Sequence, residues 1–81
     1  MIEVGKQMKL IDLPFNVEAE IMHVDKQIAK RLMAMGIIPG EKIKIIRSSP
    51  LGDPLELEIK NYNLSLRKSE CKLIKVKKLE E

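Results

Sequence analysis

Cysteine and histidine are scarce in this chain, one of each in 81 residues, and aromatic residues make up only 2% of it. Cys71 alone cannot form an internal disulfide, and together with His23 it offers two soft metal ligands where a structural or catalytic metal takes three or four. The sequence holds no CxxC, no HxxxH and no Asp-rich loop ending in glutamate, so no metal site is expected. A serine or cysteine nucleophile would have only His23 to activate it, which leaves no catalytic residues and no enzyme to expect. The four glycines, Gly5, Gly36, Gly40 and Gly52, stand singly. That spacing excludes the glycine loops that cradle phosphates, and no cofactor is implied. Phe15 and Tyr62 are the only aromatics, too few for the stacking platforms on which small barrels hold single-stranded nucleic acid.

Long apolar runs are missing as well, so the chain does not cross a membrane by itself. Residues 1–10 carry Glu3, Lys6 and Lys9 in place of a secretion signal. With a single unpaired cysteine, the expectation is a cytoplasmic protein. Fifteen Lys and Arg against twelve Asp and Glu give a net charge of +3, with the signs interleaved. The exception is the tail, where Lys72, Lys75, Lys77 and Lys78 gather. Lysines of that kind suit a solvated edge strand, where they block edge-to-edge pairing; the competing reading is a nucleic-acid or lipid contact.

What is present is periodic and short. No repeat and no Ser-, Gly- or Pro-rich linker divides the chain, so residues 1–81 are expected to form one domain. Residues 10–14 read as a turn of helix ending at Pro14, capping one end of the core. Residues 18–24 read as a strand whose inward face the imperfect alternation leaves open. A helix follows, about ten residues long. Asp25 caps it, Ile28, Leu32 and Met35 share its apolar face, and Ala29 and Met33 widen that stripe. Gly36 ends it in the left-handed conformation with Ile37 folding back on Leu32, and Pro39-Gly40 makes a tight turn.

Ile43 and Ile45 alternate with Lys42 and Lys44, and Leu55, Leu57 and Ile59 with Glu56, Glu58 and Lys60. Setting Ile45 against Leu57 and Ile43 against Ile59 folds the connection about Leu51-Gly52 and brings Lys44 opposite Glu58. A further strand at Tyr62, Leu64 and Leu66 follows a turn at Asn61-Tyr62. Residues 67–71 form a polar corner, and Ile74 and Val76 mark a last strand. The fold class is mostly β: a small, partly open five-stranded barrel with one short helix.

The runs RLMAMGIIPG at residues 31–40, SPLGDP at 49–54 and LSLRKSE at 64–70 together resemble FeoA, the ferrous iron transport protein A family, over roughly residues 9–78. The resemblance implies an SH3-like barrel. It also implies a non-enzymatic accessory of ferrous iron uptake that binds and modulates the cytosolic part of FeoB, a permease with a cytosolic GTP-binding domain. Contact with a membrane would then be indirect, through that partner, and a homo-oligomer is compatible with it. Asn16 and Asn61 stand where the family often has glycine, and Cys71 where it often has alanine; asparagine tolerates the left-handed conformation both turns need. The contact candidates are the helix end and its turn, Met35, Gly36, Ile37, Pro39 and Gly40, and the polar corner at Arg67 and Lys68. The alternatives are a small basic barrel binding nucleic acid through Lys42, Lys44 and the lysine tail, and an interaction domain like that of metal-dependent repressors. A third is direct iron sensing through His23 and Cys71.

Overall fold

The computed structural model describes residues 6–79, and in it six antiparallel strands form one sheet in the order β1-β6-β2-β3-β4-β5. The strands are β1 (Gln7–Lys9), β2 (Glu18–Val24), β3 (Lys42–Ser48), β4 (Leu55–Ile59), β5 (Tyr62–Leu66) and β6 (Ile74–Lys78). A 3-10 turn (Leu10–Asp12) follows β1, helix α1 (Lys26–Met33) joins β2 to β3, and helix α2 (Lys68–Cys71) joins β5 to β6. The chain is mostly β, as its alternations predict, but with one strand and one helix more than they reveal.

One face of the sheet carries Ala19, Ile21, Ile43, Ile45, Leu57, Ile59, Ile74 and Val76, each at most 1% exposed. No second sheet is present among the described residues to cover that face. The sheet therefore curls on itself, and Leu10, Leu32 and Cys71, from the 3-10 turn, α1 and α2, complete the core, each fully buried. No polar side chain is buried with them. The β2 alternation looks imperfect because a bulge lies between Ile21 and His23. The extra residue moves the inward position from an expected residue 23 to Val24 and leaves His23 outside.

Ile45 pairs with Leu57, Ile43 with Ile59 and Lys44 with Glu58, the register their alternation predicts. Its connection closes where Gly52 N–H donates to Ser49 O at 2.8 Å, with Gly52 at φ 90°. The β4–β5 hairpin differs by two residues. Ile59 pairs with Tyr62 and Leu57 with Leu64, so the turn is Lys60-Asn61, and it is Lys60, not Asn61, that takes a positive φ of 56°. A shift of two keeps every side chain on its face, so alternation alone cannot tell the two registers apart. Asn16 does adopt the left-handed conformation, at φ 63°.

β1 overturns the edge-strand reading of the lysine tail. Met8 lies opposite Val76 and Lys9 opposite Lys75, so β6 is paired on both sides, with β1 and with β2. The lysines stay outside because Ile74 and Val76 point in. Three residues are too few to display an alternation of their own.

Helix α1 begins where Asp25 Oδ1 accepts from Gln27 N–H at 2.9 Å. It spans 8 residues, shorter than its apolar spacing suggests, because Met35 and Gly36 N–H donate to Leu32 and Met33 carbonyls, tightening the last turn. Gly36, at φ 84°, reverses the chain, and Ile37 N–H returns to Leu32 O at 3.0 Å. The polar corner is a helix, too. Glu70 accepts from Arg67 N–H and Asp53 from Lys68 N–H, both at 2.9 Å, satisfying first-turn donors of a segment too short to show periodicity.

A side chain at Gly40, φ 97°, would meet nothing within 4 Å, whereas a Cβ at Gly36 would lie 2.8 Å from Tyr62 Oη. Gly40→Ala should therefore cost about 1–2 kcal/mol, the left-handed backbone penalty alone. Gly36→Ala should cost more, and the excess should vanish in a Tyr62→Phe background, measured as urea midpoints. Equal costs in both backgrounds would show that the hydroxyl does not crowd that site.

Candidate functional site

Two side-chain tethers hold α1 against the two ends of β5. The Tyr62 hydroxyl, at the start of β5, donates to Met35 O, and the Arg31 guanidinium pairs with Glu70 in α2, just past the strand's end. The Glu70 carboxyl is held below its usual range, chiefly by the Arg67 backbone N–H and further by Arg31, against the opposing effect of burial. The helix end and the polar corner thus belong to one tethered flank. Within it the residues play different parts. Ile37 is 1% exposed and packs in the core; it presents no surface. Met35 and Gly36 are half-buried, while Pro39, Gly40, Arg67 and Lys68 are exposed.

Met33, assigned to the apolar stripe by spacing, is 59% exposed. One position beyond Leu32 is about 100° round the helix, enough to carry it off the buried face. Phe15 at 50% and Leu51 at 96% exposure are not singled out by the sequence as surface residues, since isolated apolar residues in loops have no period that tells exposed from buried.

The outer face of the sheet is a ladder of opposed charges. Glu20 lies opposite both Lys77 and Lys42, and Glu18 opposite Lys44. Lys44 also reaches Glu58 at 3.5 Å, Arg47 Glu56 at 3.4 Å and Lys60 Glu41 at 3.3 Å. A depression of about 440 Å³ lies on this face and is lined by Glu18, Glu41 and Glu58 as well as Lys42, Lys44 and Lys60. Lys42 and Lys44, the residues a basic nucleic-acid groove would use, therefore sit among carboxylates, and Tyr62 spends its hydroxyl on Met35. Lysines facing acids across a sheet stabilise it by fractions of a kcal/mol each and leave little net field for a polyanion.

His23 is exposed, whereas Cys71 is fully buried. Among the described residues no group of three or more His, Cys, Asp and Glu is placed to hold a metal ion. No described helix is long and apolar enough to cross a membrane. Burial pushes the Cys71 thiol up from 9.0 to about 12, with the Glu70 and Asp53 charges adding to it. It packs as a small apolar residue.

These two titrations act at opposite ends of the pH range. A raised thiol value means the native state holds its proton after the unfolded chain has lost it, so that contribution is present below about pH 9 and drains away toward pH 12. Cys71→Ala should flatten the alkaline fall in stability, and the native thiol should not react with Ellman's reagent at pH 8 until guanidinium unfolds the chain. For Glu70 the sign is reversed: its contribution is present above 4.5 and lost as pH falls. Glu70→Gln should cost about 1 kcal/mol at pH 7, and the gap to the unmodified protein should close on acidification, as read from melting temperatures.

With this geometry in view, the relatives agree. The family model for the FeoA domain matches residues 8–78. An Fe(2+) transport protein A/Fe(2+) transporter FeoB fusion protein of Porphyromonas gingivalis is 34% identical over 71 residues, covering 85% of this chain and 8% of that protein. The chain thus spans a small fraction of the length of that curated relative. The solution structure of a FeoA-like protein from Clostridium acetobutylicum superposes with a TM-score of 0.84 at 34% identity, covering 96% of this chain and 93% of that one. Stenotrophomonas maltophilia FeoA, solved with zinc and described as a prokaryotic SH3 domain protein and a candidate ferrous iron transport activating factor, gives 0.73 at 31% identity, covering 85% and 88%. The curled antiparallel sheet is thus an SH3-like fold, and the chain belongs to the FeoA domain family.

Proposed function

We propose that this chain is a non-enzymatic, cytoplasmic accessory of ferrous iron uptake, which binds the cytosolic part of a FeoB-type permease and modulates it. The observation that carries the reading is the Porphyromonas gingivalis relative, in which the same domain and a FeoB transporter share one polypeptide. Joining two modules raises the effective concentration of one for the other, an advantage only where they touch. The one thiol is buried, which pushes it up to about 12, and the one imidazole is exposed.

Recognition then falls to the tethered flank. Met35, Gly36, Pro39 and Gly40 would present the turn, with Ile37 holding its shape from within, and Arg67 and Lys68 would add positive charge. The purified cytosolic part of the permease should bind the chain with micromolar affinity in calorimetry, and Arg67→Glu should weaken it about tenfold, equivalent to about 1.4 kcal/mol. Failure of the unmutated chain to bind at micromolar concentration would defeat the reading.

A further inference from the structure

A second concavity, of about 290 Å³, lies between the 3-10 turn, the β3–β4 connection and α2, lined by Ile11, Phe15, Ser48, Leu55, Lys68 and Lys72. Its floor is apolar: Leu55 is buried, and Ile11 packs against the core. Phe15 stands half exposed beside it, although a chain with so few aromatics gains most by burying them. Leu51, almost fully exposed, tips the adjoining connection, which Asp53 ties to α2 through the Lys68 N–H.

Lys68 and Lys72 are four residues apart and share one side of α2 at the mouth of this cavity. Both are exposed. On the sheet, Lys44, Arg47 and Lys60 each have a carboxylate partner, but among the described residues neither ammonium here has one. Two acids of this flank are otherwise engaged: Asp53 accepts from the Lys68 backbone N–H, and Glu70 is held by Arg31 and the Arg67 N–H. An apolar hole under two unpaired cations is the complement of an apolar side chain flanked by carboxylates.

We infer that this cavity is a docking site for an acidic peptide segment bearing one bulky apolar side chain. The apolar group enters between Phe15, Ile11 and Leu55, and its neighbouring carboxylates pair with Lys68 and Lys72. A concave site takes one such anchor, whereas a lipid surface calls for a broad protruding apolar face. That the segment belongs to the permease rests on the proposed function; the chemistry of the site does not.

The test separates the two. The isotope-labelled full chain is titrated by NMR with the purified cytosolic part of the permease and, independently, with the blocked peptides DEFED and KKFKK. The expected result is resonance shifts centred on Phe15, Leu55, Lys68 and Lys72, saturation by DEFED but not KKFKK, and at least a tenfold weaker Kd for both ligands in Lys68→Glu/Lys72→Glu and in Phe15→Ser. Lys75→Glu, on the outer face, should leave both unchanged. All these side chains are substantially exposed, and melting curves confirm that the variants fold. Permease binding that maps elsewhere and survives the double substitution overturns the docking site while sparing the permease reading. If the permease does not bind, DEFED decides: saturable binding abolished by the double substitution upholds the site, and no binding, or equal binding of KKFKK, overturns it. Sedimentation with phosphatidylglycerol vesicles that depends on Leu51 would assign the patch to lipid and overturn it as well.

Discussion

A single sheet with one aliphatic face and nothing flat to cover it must bend until that face meets itself. Everything else in this molecule follows from that requirement. The rows through Ile43, Ile45, Leu57 and Ile59 and through Ile21, Ile74 and Val76 are nearly sealed from solvent, and the fully buried side chains that fill the middle are no longer than isoleucine or leucine. A chain of this size buries only roughly 60% of its unfolded surface, so it reaches a dry core by making every inward position count. The bulge in β2 serves this end, bending the strand and re-aiming Val24 inward where a regular alternation would have turned His23 toward the core.

Bending the sheet also divides its surface into two kinds. The convex face is formed by residues whose partners are set by the ladder, and the ladder matches Lys to Glu across neighbouring strands. Across β2, β3 and β4 such a face is electrostatically quiet, whereas at the β1–β6 edge Lys9 faces Lys75. What the ladder does not govern lies in the connections: the α1–β3 turn, the β3–β4 connection and α2. Outside the strands lie the exposed Met33 at the end of α1, Leu51 in the β3–β4 connection, Phe15 before β2 and the unpaired Lys68 and Lys72. A fold whose sheet is spent on its own stability does its recognition in its loops, which a rigid scaffold positions.

The parts that the sequence made legible are those encoded locally. Asp25 before an apolar stripe and Gly36 after it mark a helix because capping is a matter of a few neighbouring residues. The Ile45–Leu57 register could be read because a one-residue slip of β4 would send Leu55, Leu57 and Ile59 outward. Illegible were the features decided by distant partners. β1 is a strand only because β6 is there to receive it, and Lys9 and Lys75 tolerate facing each other because behind them Val76 is buried and Met8 packs against the core. The turn at Lys60-Asn61 wins over Asn61-Tyr62 even though it leaves lysine, not asparagine, at positive φ. The winning register is the one in which Tyr62 starts β5 and its hydroxyl meets Met35 O, a contact 27 residues away. Of the candidate site, Arg67 and Lys68 could be singled out as exposed polar residues, but the cavity beside Lys68 could not, since its walls come from three separate connections.

The tethers give the flank a consequence for recognition. Arg31–Glu70 and Tyr62–Met35 span 39 and 27 residues, so they join segments that the backbone alone would leave independent. The same Glu70 that grips Arg31 also caps α2, and α2 carries the lysines at the cavity mouth. A partner seated at either the helix end or the cavity therefore meets a surface already ordered, and little conformational entropy is left to lose on binding. Pre-ordering of this kind suits a small recognition surface: a single apolar anchor and two charge pairs would bind usefully where the groups receiving them do not have to be assembled first.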